Sequence, residues 1–184
     1  MVLLVALAVT AAAGALSSRA AKADAHRFAN DSPVVYGYAY ANRCPAAGIA
    51  DIVDRWEMDV CNCTSYVAWA LEVNGQRTDW FIPGAMNAWN WPHVAQLAGL
   101  QVVHAPAVGA VAVWPKLNSP FGHVAYVTSV EADGSFSVGE YNSPTPFGRN
   151  SFGFDVRSGL RRVGALFILV PPRGAHEDKP GSLG

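Results

Sequence analysis

The sequence predicts an α+β domain in which one helix is packed on an antiparallel β-sheet. Two observations carry that expectation. Cys63, Tyr66, Val67, Ala70 and Leu71 recur at i, i+3, i+4, i+7 and i+8, which sets one apolar face on a helix over residues 62–73. Beyond His104 the pattern changes to short β-rich runs separated by turn residues, the arrangement of a helix-first α+β fold.

The elements follow in chain order. Val2 to Leu16 is an uncharged apolar run, and Ala21-Lys22-Ala23 supplies the small residues that signal peptidase requires. Residues 1–23 are therefore expected to be a signal peptide, with the mature chain starting near Asp24. A retained anchor is the rival, but the run is about 15 residues where a bilayer needs roughly 20. Residues 24–50, rich in Pro, Gly, Tyr and Asn without a sustained period, read as an irregular N-terminal arm. Asn62 suits the N-cap of the helix and Asn74-Gly75 its stop. A shorter helix is expected around Met86 to Leu97, kinked or divided by Pro92. Strands are expected over Ala110–Trp114, Gly122–Val130, Ser135–Tyr141 and Arg161–Val170, with Asp133-Gly134 as a tight hairpin turn. The folded domain is expected to span 51–170, with residues 171–184 as a Pro-, Gly- and charge-rich flexible tail.

Composition excludes some functions. The 184 residues carry 13 basic and 14 acidic side chains, a net charge of −1, with no basic run. A phosphate-backbone partner needs a basic face, so nucleic-acid binding is not expected. About 160 residues after the signal suit one domain with its own core, and a monomer is expected. Three cysteines leave an odd one in an exported chain. Cys44 can bond Cys61 and leave Cys63 free, or bond Cys63 and consume it; three reduced thiols are the remaining arrangement.

Cys63 stands at the first turn of the helix, where the dipole and free N–H groups favour a thiolate. Those N–H groups can also hold an oxyanion. Taken alone, a cysteine at a helix start reads as a small core residue. Gly122-His123 changes that reading, because it delivers an imidazole at a strand end, from a rigid element packed on the helix. The Asp133-Gly134 hairpin brings Glu140 beside His123, where a carboxylate would fix the imidazole tautomer. Asn142, two residues on and on the same strand face, is a rival or supplementary orienter.

Four ordered segments, Cys63-Thr64-Ser65-Tyr66-Val67-Ala68-Trp69, Gly109-Ala110-Val111-Ala112-Val113-Trp114, Gly122-His123-Val124-Ala125-Tyr126-Val127 and Gly139-Glu140-Tyr141-Asn142, resemble the motifs of the CHAP family, cysteine- and histidine-dependent amidohydrolases and peptidases. The resemblance implies a papain-like fold with Cys63 as nucleophile, His123 as base and Glu140 or Asn142 as third member. It implies peptidoglycan as the substrate, cut at the muramoyl-alanine bond or at a stem or cross-bridge peptide bond, by a secreted or envelope-associated bacterial protein. A non-catalytic wall-binding module of the same fold, and an amidase on a small peptide conjugate, are the alternatives. The family commonly carries Gly-Asp where this chain has Gly109-Ala110, and Gln where it has Asn62.

Asn62, Trp89, Trp91 and Trp114 are expected to contact substrate, although Trp89 and Trp91 serve equally as packing and Trp114 reads as partly core. His93 and His104 are expected at loop surfaces. Asp51, Asp54, Glu57 and Asp59 lack the alternation of a calcium loop and read as a solvated acidic face, so neither metal nor cofactor is expected. Stable membrane association is not expected once the signal is removed.

Overall fold

The computed structural model describes residues 32–46, 49–115, 120–143 and 152–174. The expected signal peptide, its cleavage site and most of the tail lie outside the described residues. The described residues from Pro33 onward belong to one compact unit.

Helix α1 spans Cys63–Val73. Asn62 caps it, its side-chain oxygen accepting the Cys63 N–H at 2.8 Å, and Gly75 ends it at φ +73°. Every residue from Cys63 to Leu71 is buried, so the helix is enclosed rather than amphipathic. The reason is the N-terminal segment. Val35 and Tyr38 belong to the same core cluster as the helix, and the Tyr38 ring meets Tyr66 and Trp69 edge-on. Tyr38 Oη also pairs with Ser65 Oγ at 2.6 Å.

A 3₁₀ turn at Ala88–Asn90 leads into α2, Trp91–Leu97. Pro92 sits in its first turn, where the missing N–H has no partner to lose, so it starts this helix instead of dividing it.

Six strands follow: β1 Gln101–Val103, β2 Val111–Trp114, β3 His123–Val130, β4 Phe136–Tyr141, β5 Phe154–Leu160 and β6 Leu166–Leu169. They form one antiparallel sheet in the order β1-β6-β2-β3-β4-β5. The sequence reading covers β2, β3 and β4 but misses β1 and β5, and the expected last strand begins at Leu166, not Arg161. Arg162 to Ala165 is a turn closed by the Ala165 N–H on the Arg162 carbonyl. The inner face of β3 gives Val124 and Tyr126 to the cluster containing α1. Its outer face gives Ala125 and Val127 to a second cluster with Trp114, Phe136, Val138 and Phe167. Gly139 lets the helix approach β4, since a Cβ there would lie 2.6 Å from Tyr66 Oη.

Candidate active site

Cys44 and Cys61 form a disulfide with Cα atoms 5.5 Å apart, and Cys63 is free and buried. The pairing that the sequence left open therefore spares the candidate nucleophile. Cys61 has φ +68°, a left-handed conformation that is costly for a residue with a Cβ. The disulfide and a hydrogen bond from its N–H to Tyr38 Oη (3.2 Å) hold it there. This turn feeds the chain into α1 with Asn62 as cap and Cys63 as first helical residue.

His123 opens β3 directly after Gly122. Gly122 has φ +73°, and a Cβ on it would lie 2.8 Å from the Trp89 backbone nitrogen and 3.0 Å from the Trp114 carbonyl oxygen. Only glycine fits that crossing. In register His123 faces Trp114 across β2, and the two rings stack with centroids 6.0 Å apart. His123 Nε2 bonds Glu140 Oε2 at 2.8 Å, both side chains being 0% exposed. Beyond Glu140 lies Arg157 on β5. Its Nη2 donates to Glu140 Oε2 at 2.7 Å and its Nε to Oε1.

Glu140 occupies Nε2, so the interaction between His123 and Cys63 falls to Nδ1. Among the described residues that atom is buried without a hydrogen-bond partner. Burial disfavours the charged imidazole, but the charge of nearby Cys63, and then the hydrogen bond and charge of Glu140, outweigh it and raise His123 to about 9. Burial likewise works against the Glu140 carboxylate; the hydrogen bonds and charges of His123 and Arg157 prevail and hold it below its usual range. Imidazole, carboxylate and guanidinium thus form one hydrogen-bonded line, His123–Glu140–Arg157.

That line opens into a cavity of about 700 Å³ lined by Cys63, His123, Asn62 and Asn142, with Met86 and Phe121 among its walls. Two carboxylates, Glu57 and Asp59, also line it. Asn142 reaches the cavity but is not placed as an orienter of His123. Its φ of +50° turns the chain out of the strand, so the two-residue spacing no longer keeps it with Glu140. Its amide instead donates to Asn62 Oδ1 at 3.1 Å. Asn62 Oδ1 also accepts the Cys63 N–H, so that N–H is committed to the cap and is not open to an oxyanion.

The tryptophans separate. Trp91 is 0% exposed, with its indole N–H on the Met86 carbonyl, and is core, not a substrate contact. Trp114 is buried behind His123 and carries the Arg157 guanidinium 5.4 Å from its ring centroid, which makes it backing for the histidine. Trp89 is 49% exposed and its N–H bonds the carbonyl of Phe121, a cavity residue that is 61% exposed. His104 is exposed in a loop, as expected, whereas His93 is exposed but lies within α2, because Pro92 starts that helix. Of the four acids before the nucleophile, Asp54 departs from the expected solvated face: it is buried and accepts the N–H groups of Trp56 and Met58. Among the described residues no cluster of metal-ligating side chains occurs.

A thiol at a helix start, an imidazole at a strand start and a carboxylate behind it can attack, protonate and release across an amide carbonyl. Fold and site together resemble those of cysteine amidohydrolases and peptidases. The family model of the CHAP domain matches residues 53–142, so that part of the chain is similar to the CHAP family. The chain is 38% identical over 72 residues to the "Probable autolysin LDP" of Staphylococcus aureus, covering 39% of this chain and 22% of that protein. It is 43% identical over 56 residues to the staphylococcal secretory antigen ssaA2, covering 30% and 20%. The chain thus spans about a fifth of these curated relatives. A crystal structure of an N-acetylmuramoyl-L-alanine amidase from Staphylococcus aureus aligns with a TM-score of 0.48 at 24% identity, over 61% of this chain and 31% of that one. No helix among the described residues is long and apolar enough to cross a membrane.

Proposed function

We propose that the chain is an exported peptidoglycan hydrolase that cleaves an amide bond, muramoyl-alanine or stem or cross-bridge, with Cys63 as nucleophile. The observation that supports this reading best is the buried His123–Glu140 pair facing a free Cys63 at the wall of one cavity. The kinship to an autolysin and a secretory antigen supports the wall as substrate and the envelope as location.

In this mechanism the Cys63 thiolate adds to the carbonyl carbon, and the oxygen takes the electron pair. Asn62 supplies the donor for that oxyanion. Its Oδ1 is fixed by the Cys63 N–H and the Asn142 amide, which turns Nδ2, the donor end, to the remaining side. His123 gives its proton to the departing amine, leaving a thioester on Cys63. A water molecule, deprotonated by His123, then hydrolyses the thioester. Glu140 holds the imidazole in line, and Asn142 acts through Asn62. Trp89 and Phe121 offer flat apolar surface at the rim for glycan or peptide.

Asn62→Asp keeps the oxygen that caps the helix and removes the donor. It should lower kcat about 100-fold with the thermal midpoint little changed, measured side by side. The proton on His123 sets the alkaline side. Its raised affinity keeps the imidazole charged up to pH of about 9, so kcat/KM should decline as pH passes through that value. A profile still rising above pH 10 would contradict the assignment of His123 as the acid.

Digestion of purified sacculi tests the reading as a whole. Dinitrophenylation of the new amino termini distinguishes the bond: a free L-alanine amine identifies the amidase, and a stem or bridge amine the endopeptidase. Absence of any new amine, with folded protein in excess, would sink the wall as substrate.

A further inference from the structure

Arg157 is the part of the site that the sequence motifs do not contain. It lies on the edge strand β5, opposite Val138, two residues before Glu140 on β4. From there its side chain, 13% exposed, runs along the outer face of the sheet to both oxygens of Glu140. Its guanidinium also lies against the ring of Trp114, which stacks on His123 as well as on Phe136. Three strands therefore converge on one carboxylate that has no contact with solvent.

Resting on the proposed role of Cys63, we infer that Arg157 is a positioning residue of this site: its two-pronged grip keeps Glu140 ionised and aimed at His123, and so sustains the thiolate–imidazolium pair. Three facts carry the inference. Glu140 is 0% exposed, and a carboxylate removed from water stays charged only when donors replace the water. The structure gives it two donor groups, the His123 imidazole and the Arg157 fork, and the fork takes both oxygens. The remaining ionisable neighbours are otherwise engaged: Tyr66 Oη donates to the Val35 carbonyl, and Asp155, across from Glu140, accepts the Val156 N–H. Arg157 repels the imidazolium too, but acts on it through Glu140, which lies between them and touches both.

The sign follows from which contact is closer. Without the guanidinium, Glu140 loses one of its two charged donors and takes up a proton more readily. A neutral Glu140 no longer supports a charged His123, and Cys63 then keeps its own proton to higher pH. Were direct repulsion between guanidinium and imidazolium the larger effect, removing Arg157 would extend the thiolate to lower pH instead.

The test is the rate of Cys63 alkylation by iodoacetamide against pH, in the intact chain and in Arg157→Gln and Arg157→Lys. Cys63 is the free thiol among three cysteines, so the signal is its own and needs no substrate. The acid limb in R157Q should move up by about one pH unit, with R157K between it and the native protein. An unmoved limb in folded R157Q, or one displaced downward, overturns the inference. If R157Q does not fold, R157K decides: an upward shift supports the role and an unaltered limb removes it. Failure of the underlying reading looks different, since native Cys63 would then react with the profile of an ordinary thiol, rising near pH 8.5.

Discussion

Cys63→Ala should bring amide hydrolysis down by roughly 10⁴-fold or more while leaving the fold in place. Removing a nucleophile from a coupled set costs nearly as much as removing the set, because the base then has no proton to take and no thiolate to sustain. The structural cost is small by comparison. The sulfur lies at the N-terminus of α1, where the cap is made by Asn62 with the backbone N–H that alanine retains, and one buried sulfur is worth about 1 kcal/mol. Hydrolysis of sacculi and the thermal midpoint, measured on the same preparation, check both halves. Equal activity in native and C63A protein would remove the cysteine from the mechanism.

Glu140→Gln should have the largest effect on stability. The side chain is isosteric, so the change is one of charge. Glutamine cannot hold the His123 imidazolium, and it leaves the largely buried Arg157 without its counter-ion. Breaking a buried pair by removing one partner costs about 3–5 kcal/mol, and kcat should drop about 1000-fold through the loss of the oriented, charged imidazole. The pH dependence supplies a second reading. A carboxyl held below its unfolded value contributes stability above the usual carboxylate range, and that stability is lost as pH falls through its lowered native value. Acid-induced loss of stability in the native protein should therefore be weaker in E140Q, whose side chain does not titrate. Denaturant titrations at pH 7 and pH 3 on both proteins check this; parallel acid sensitivity would contradict the charged pair.

The parts legible in the sequence are those set by local rules. Helix periodicity and the Asn62 cap fix α1, and the Asp133-Gly134 turn fixes the hairpin that brings Glu140 to His123. What escaped depends on long-range structure. Strand β5 is a half-exposed edge strand of mixed polarity, without the apolar alternation that marks β3. Nothing local assigns Arg157 to Glu140, because the pair exists only through the β4–β5 register. Asn142 was misplaced by a rule that holds only while the strand continues, and its positive φ ends the strand there. Trp91 and Trp89 are two residues apart and alike in chemistry, yet one is core and the other rim. The start of α2 decides it, pointing one indole at the Met86 carbonyl.

The account turns on a charged pair, Cys63 as thiolate and His123 as imidazolium, in the resting protein. Nitrogen-15 NMR of histidine-labelled protein at pH 7 reads that state, with His123 among the five histidines assigned by its loss in His123→Gln. Both ring nitrogens of His123 should be protonated, with a titration midpoint near pH 9 that moves down in C63A, where the thiolate is gone. A neutral His123 at pH 7, or a midpoint indifferent to C63A, would contradict the pair.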